Sequence, residues 1–328
     1  NKHENTVISI CGTGVNKEFS VILTNVVPDL QLLANGQAFP LYYYEKSEKI
    51  NPNLFASLEN GDYVRRDGVS DFILNRAISI YGSNVRKKDI FYYVYGILHN
   101  KKYRNTFAND LKKVLPRIPL VEDVRDFWKF SKAGRTLADL HIEYETVPPY
   151  KGVKITGESA KFFEVTKMRF TKKDEKHTII YNSRITISNI PEKAYEYVVN
   201  GKSAIEWILE RYQVTTHKAS GIKNDPNDWA KEVGNPRYIL DLLLSVINVS
   251  VQTVDIVEGL PRLDFDNQGA MLPDYSIVLA RSTIGAVPEG SKGTIIHHYS
   301  NQSTFEVEFI VGEKSIVETV SHTQIKKQ

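Results

Sequence analysis

The chain has 328 residues, 41% of them apolar and 25% charged, and a net charge of +3. This is the balance of an ordinary globular protein, long enough for one large domain or two. No apolar run approaches the 18 residues of a membrane span, and the single cysteine, Cys11, excludes an intrachain disulfide and a cysteine-built zinc site.

The start, NKHENTVISI, has neither the apolar core of a signal peptide nor an initiator methionine. A piece of a longer chain in a reducing cytoplasm is the expectation. Strands are predicted at VISIC (7–11), FSVILT (19–24) and FPLYYYE (39–45), with glycine, proline and asparagine between them. Residues 46–68 are polar and turn-rich, a predicted surface loop. Helices follow. Asp89 can cap one that runs through Asn100. A second presents Tyr103, Phe107 and Leu111 on one face, and Pro116 and Pro119 end it. A third, from Val121 to Leu140, has Val124, Phe127, Trp128, Leu137 and Leu140 as its predicted core face.

Pro148-Pro149 reads as a hinge or linker, which would divide an α+β part over 1–147 from a second over 148–266. Strands are predicted around 162–170, 177–181 and 184–188. Two short helices broken at Asn200-Gly201 come next, then a polar loop, TTHKASGIKNDPNDW. A long helix runs from Pro236 to about Gly259. A linker over 264–269 leads into short alternating strands, YSIVLA, KGTIIHHY, TFEVEFI and KSIVETV. They predict a small SH3-like barrel over 271–328. The fold class expected is α+β, mixed strands and helices followed by a small all-β barrel.

Charge is segregated along the chain. Residues 65–117 hold 12 Lys and Arg against 4 Asp and Glu, and residues 151–223 hold 14 against 8. Residues 224–266 reverse the balance, 3 against 8. Such segregation suits a polyanion partner and also suits a solvated lysine-rich surface. Two basic stretches stand out. Lys167, Arg169, Lys172 and Lys173 belong to a predicted hairpin whose next turn holds Asn182 and Arg184. A β-ribbon of this kind can enter a major groove, where Arg and Asn read base edges. Lys218 and Lys223 sit in a loop rich in Ser, Thr, His and Asn, the usual donors to phosphate. Arg86, Lys87 and Lys88 are candidate backbone contacts.

Motifs for catalysis are weak. Gly12-Thr13-Gly14 follows a strand but leads into another, so a hairpin turn is expected and not a Rossmann or SAM loop. Val147-Pro148-Pro149-Tyr150 is similar to the Asn/Asp-Pro-Pro-Tyr motif of amino-methyltransferases, but valine cannot accept a hydrogen bond from the target amine. Pro28-Asp29, Pro273-Asp274 and Asp174-Glu175-Lys176 could form a nuclease set only if the fold gathered them. His297 and His298 are adjacent in a predicted strand, so they would face opposite ways.

DIFYYVYGILHNKKYRNTFANDLKKVLPRIPLV (89–121), VTKMRF, AYEYVVNGKSAIEWILERYQV and GIKNDPNDWAKEVGNPRYILDLLLSVI carry a resemblance. Over about residues 5–262 the chain resembles the C-terminal specificity region of type ISP single-chain restriction–modification enzymes. The resemblance implies a target-recognition domain for double-stranded DNA. Its partners would be the methyltransferase and helicase-nuclease domains of the same polypeptide. It implies no cofactor in this chain, with SAM, ATP and Mg belonging to the absent domains, and no membrane partner. Two alternatives stay open from the residues: a protein-interaction module without DNA specificity, and a self-contained nuclease with scattered ligands.

Overall fold

The computed structural model describes residues 5–15, 17–46, 63–172, 174–263, 265, 275–298 and 304–328. The chain divides into two units, 1–261 and 262–328.

The first unit begins with β1 (Val7–Ile10), β2 (Val21–Thr24) and β3 (Gln37–Pro40), an antiparallel sheet in the order β2-β1-β3. Every residue of β1 is buried, as befits a central strand of unbroken β-branched and small residues. The predicted strand over 39–45 is two strands. Leu41 turns the chain, and β4 (Tyr42–Lys46) pairs instead with β5 (Tyr63–Asp67). β5 falls in the stretch expected to be a loop. Its YVRRD sequence is exposed on both faces, so alternation could not mark it. The rest of that expected loop, 47–62, lies outside the described residues.

Four helices follow: α1 (Asp71–Tyr81), α2 (Lys87–His99), α3 (Lys101–Thr106) and α4 (Val124–Ile142). Asp89 does cap α2, but from inside its first turn, where the carboxylate accepts the Arg86 N–H at 3.0 Å. The second helix is shorter than its Tyr103-Phe107-Leu111 spacing suggests and continues as turns beyond Thr106. Of the predicted core face of α4, Phe127, Leu137 and Leu140 are buried, whereas Val124 and Trp128 are exposed. Phe130 and Ala138 take their places in the core.

The aromatic run of α2 builds this core. Tyr93 packs on Phe127 and Phe130, and Tyr81 stacks on Phe127 at 4.2 Å. The tyrosine hydroxyls then hold down the Pro-Arg-Ile-Pro stretch. Tyr81 donates to the Val121 carbonyl, Tyr93 to that of Pro119 and Tyr103 to that of Arg117. Gly96 of α2 and Gly134 of α4 let the two backbones touch. A Cβ on Gly134 would lie 1.9 Å from the Tyr92 carbonyl oxygen, and one on Gly96 would lie 2.4 Å from that of Phe130.

The segment around Pro148-Pro149 is strapped along a later helix, α7 (Tyr238–Glu258). The Val147 and Pro148 carbonyls accept from Ser245 and Asn248, and the Tyr150 N–H donates to Leu244. A second sheet comes next, β6 (Lys154–Thr156), β7 (Arg169–Lys172), β8 (Glu175–Ile180) and β9 (Thr186–Ser188), in the order β6-β9-β8-β7. β6 is absent from the sequence-based expectation, and β7 begins at Arg169, seven residues after the start of the predicted strand.

The two helices predicted around Asn200-Gly201 are a hairpin and one helix. β10 (Val198–Val199) and β11 (Lys202–Ser203) flank an Asn-Gly turn with both central φ angles positive, 52° and 85°. This is the two-residue turn that matches strand twist. α5 (Ala204–Arg211) starts directly after it, capped by Ser203 and Glu206 on each other's N–H groups. The polar loop closes as the ribbon β12 (Thr215–Thr216) and β13 (Lys223–Asn224), followed by α6 (Asn227–Glu232) and α7 (Tyr238–Glu258). The length and apolarity of α7 would suffice to cross a bilayer, yet 67% of its most apolar window is buried in the unit. Leu240, Leu243 and Ile247 of α7, with Ile205 of α5, pack under the second sheet and close its core.

In the second unit, β14 (Ile277–Ala280), β15 (Lys292–His298), β16 (Thr304–Val311), β17 (Lys314–Ser321) and β18 (Ile325–Lys327) form one antiparallel sheet. The last strand returns beside the first, a half-barrel closed over Val278, Ile295, Phe305, Val307, Phe309 and Val320. Register shifts between Ile295 and His297, a bulge that lies before the two histidines, and His297 and His298 pair with the successive residues Glu306 and Phe305, in keeping with the alternation expected for them. The linker over 264–269, apart from Phe265, and the Pro273-Asp274 pair lie outside the described residues.

Candidate nucleic-acid interface

The four-stranded sheet has two unlike faces. Phe170, Ile179, Ile187 and Ile155 oppose one another across all four strands and point at α7. One residue over, Arg169, Ile180, Thr186 and Thr156 form the matching row on the other face. Lys154 pairs with Ser188 on that same face. It therefore offers two cations and three hydroxyls from β6, β7 and β9. Sequence reading missed the hydroxyls, although the K-I-T and T-I-S alternation of β6 and β9 carries the signal.

The segment 162–168 runs into β7 without ladder bonds of its own, and two asparagines hold it. Asn182, in the turn after β8, donates to the Phe162 and Glu164 carbonyls at 2.9 and 3.0 Å. Its oxygen accepts from Arg184 and Ile185. Asn227, buried at the start of α6, accepts from the Val165 N–H and donates to the Val165 carbonyl, both at 2.8 Å. The Val214 N–H donates to the Thr166 carbonyl at 2.9 Å. These bonds gather the hairpin, the 182–184 turn and the base of the 215–224 ribbon at one place.

The expected site residues divide accordingly. Lys167, Arg169, Arg184 and Lys218 are exposed and have no ion-pair partner among the described residues. Lys172 is also on the hairpin but is paired with Glu175 at 2.6 Å. Lys223 is paired with Asp225 at 2.9 Å, a contact that raises the lysine pKa and pushes the aspartate down to about 2. Asn182 spends both amide hydrogens and both oxygen lone pairs on backbone, which leaves nothing to offer a base edge. Lys173 lies outside the described residues. Arg86, Lys87 and Lys88 sit apart, at the start of α2. Lys87 is held there by Asp67 and Asp71 at 2.8 and 2.6 Å, bonds that raise its pKa.

Among the described residues, the sites weighed for chemistry do not assemble. The Gly12 and Gly14 N–H groups donate to the Ala34 and Lys112 carbonyls, so neither glycine amide is free for a phosphate. Asp29 is used in a local turn, its carboxylate accepting from Gln31. Among the described residues no three His, Cys, Asp or Glu side chains gather into a group that could hold a metal.

Residues 1–242 match the Type ISP C-terminal specificity domain. The chain is 40% identical to the ATP-dependent Type ISP restriction-modification enzyme LlaBIII bound to DNA, with a TM-score of 0.68, covering 80% of this chain and 16% of that one. A nuclease-deletion mutant of the Type ISP enzyme LlaGI in complex with a DNA substrate mimic is 41% identical, TM-score 0.64, over 80% and 22%. The DrdV–DNA complex is 30% identical, TM-score 0.66, over 80% and 25%. This chain thus spans a quarter or less of each of these three solved chains. No curated protein matches it. From its fold and the match over residues 1–242, the chain belongs to the Type ISP C-terminal specificity domain family.

Proposed function

We propose that this chain recognises a sequence in duplex DNA as the specificity part of a restriction–modification enzyme. The observation that carries the reading is the cluster of unpaired, exposed cations, Lys167, Arg169, Arg184 and Lys218, gathered around the asparagine-clamped segment. It is supported by family membership and by the DNA present with the solved relatives. A β-ribbon fits the major groove, and arginine is suited to the paired acceptors of guanine. Lys167 and Lys218 would supply salt-dependent grip on phosphates. Arg169 and Arg184 would read bases, and the hydroxyls of β6 and β9 would contact backbone. Methylation of an adenine with SAM, ATP-driven movement and Mg-dependent cleavage would belong to other segments of a longer cytoplasmic polypeptide. This chain would orient them on the target.

The test is selection of duplexes from a randomised pool, followed by affinity measurements over a salt series. Enrichment of a short motif is expected. Lys167→Ala and Lys218→Ala should each lower the salt slope by about 1 with preference unchanged. Arg169→Ala and Arg184→Ala should each cost about 1–3 kcal/mol on the selected site and relax preference at one position. Unchanged affinity and preference in both arginine variants would refute the assignment.

A further inference from the structure

The β4–β5 ribbon is the part of the first unit that its own core explains least. A two-stranded ribbon is marginal in water by itself, and every residue of β5 is exposed. Its root, however, is firmly fastened. The Asn5 side chain brackets Tyr42, donating to the Tyr42 carbonyl at 2.6 Å and accepting the Tyr42 N–H at 3.0 Å. The Gly68 N–H donates to the Leu41 carbonyl at 2.8 Å. A fixed root under an uncovered surface is how a scaffold presents an element to another molecule.

The pairing register separates the two faces of the ribbon. Tyr63, Arg65 and Asp67 of β5 share one face with Tyr42 and Tyr44 of β4. At the root end of that face Asp67 pairs with Lys87 at 2.8 Å, which joins it to the start of α2. Arg65 lies over the Tyr42 ring at 4.4 Å, and Lys88 over the Tyr92 ring at 5.9 Å.

The charges on this surface do not cancel. Among the described residues, each carboxylate of the ribbon and of the starts of α1 and α2 is already matched. Glu45 is held by Arg66, Asp67 and Asp71 by Lys87, and Asp89 by Arg135. Arg65, Arg86 and Lys88 are left over, exposed and without an ion-pair partner among the described residues. Tyr63, at the outer end of the same face, is 63% exposed and adds a phenol O–H. From Tyr63 to Asp67 the strand covers about 14 Å, a length over which one DNA strand presents about four phosphates.

We propose that this face of the ribbon and the start of α2 make a second contact to duplex DNA, gripping phosphates beside the sequence that the β7–β8 hairpin reads. The inference rests on the DNA recognition proposed above and extends it to a separate surface. Arg65, Arg86 and Lys88 neutralise phosphates, and the Tyr63 hydroxyl donates to another. Phosphates are alike in every sequence, so this contact adds affinity and leaves preference to the hairpin.

The test is binding of the full chain, over a salt series, to a duplex carrying the motif selected from the pool and to a scrambled duplex. The triple variant Arg65→Gln/Arg86→Gln/Lys88→Gln should reduce the log–log salt slope by about 3 on both duplexes, with the preferred motif unchanged. Tyr63→Phe keeps the ring and should weaken binding to both by about fivefold. Phosphate ethylation outside the motif should impair the unaltered protein and not the triple variant. Because Arg65 and Lys88 also rest on rings, Arg86→Gln alone is a further arm, expected to reduce the slope by about 1. An unchanged slope and ethylation pattern in the triple variant, while Arg169→Ala and Arg184→Ala still alter preference, would overturn the second contact and leave the hairpin reading standing. A changed motif with an unchanged slope would also overturn it. If no motif is enriched, the hairpin reading fails instead, and the slope on the scrambled duplex still decides this proposal.

Discussion

Gly134→Ala offers a sharp test of the packing described for α2 and α4. The new methyl carbon would sit 1.9 Å from the Tyr92 carbonyl oxygen. Ordinary contact begins near 3.4 Å, so the helices must part by about 1.5 Å locally. The obstacle is backbone and cannot rotate aside. The crossing is also pinned nearby, where Ser131 donates to the Asp89 carbonyl and Arg135 pairs with the Asp89 carboxylate at 3.1 Å. Overpacking of this kind costs about 1–3 kcal/mol, and a backbone clash belongs at the upper end. Against it, alanine in a helix gains about 1 kcal/mol over glycine. The expected net loss is about 2 kcal/mol, or a fall of about 5 °C in Tm. Urea and thermal unfolding followed by circular dichroism would measure it. Gly259→Ala is the control: its added Cβ meets nothing nearer than 3.5 Å and the backbone is already helical, so it should be neutral or mildly stabilising. If Gly134→Ala proves as stable as the unaltered protein, the two backbones are not in contact.

Other consequences can be measured on the same protein. Asn227→Ala leaves the buried Val165 N–H and carbonyl without their partners and should cost about 3 kcal/mol in urea unfolding. A loss below about 1 kcal/mol would mean the clamp is idle. His99 is buried neutral with its pKa lowered to about 4, and His141, between Tyr95 and Thr253, is lowered too, in both cases by burial. The unfolded chain therefore takes up protons first. Stability should be full above about pH 6.5 and fall by about 1.4 kcal/mol per pH unit for each ring as pH drops toward 5. A flat profile over that window would contradict the buried, neutral assignment. Gly201→Ala places a Cβ at φ 85° in the β10–β11 turn and should cost about 1–2 kcal/mol, read as a lower Tm.

How much of this was legible depended on the kind of signal. The helical parts could be read because Phe127, Leu137 and Leu140 recur at helical spacing, and α7 because its apolar face is long. Val124 and Trp128 misled because a helix edge and a helix centre look alike in periodicity alone. The Asn200-Gly201 break was seen, but its meaning was not. Two residues of strand on either side are too few for alternation to register, and only the turn dipeptide points to a hairpin. β5 escaped because neither of its faces is buried. At the site, the charged hairpin was visible as composition. The division of its residues was not, because an ion pair such as Lys223–Asp225 and an exposed cation such as Lys218 read the same until partners have positions. Residue type makes Asn182 a candidate reader of bases, whereas its neighbours in space, 18 and 20 residues away, claim its amide.

The two asparagines have a bearing on how the domain could change its target. Each grips main-chain atoms of 162–168, which every residue type presents alike except proline at its nitrogen. The grip is therefore blind to the side chains that the segment displays. Lys167 can be exchanged for a neutral or acidic residue, and Arg169 beyond it in β7, while the path of the chain stays where Asn182 and Asn227 put it. Scaffold and vocabulary are kept on different atoms, so new preferences can be tried by single substitutions without a stability debt that must first be repaired.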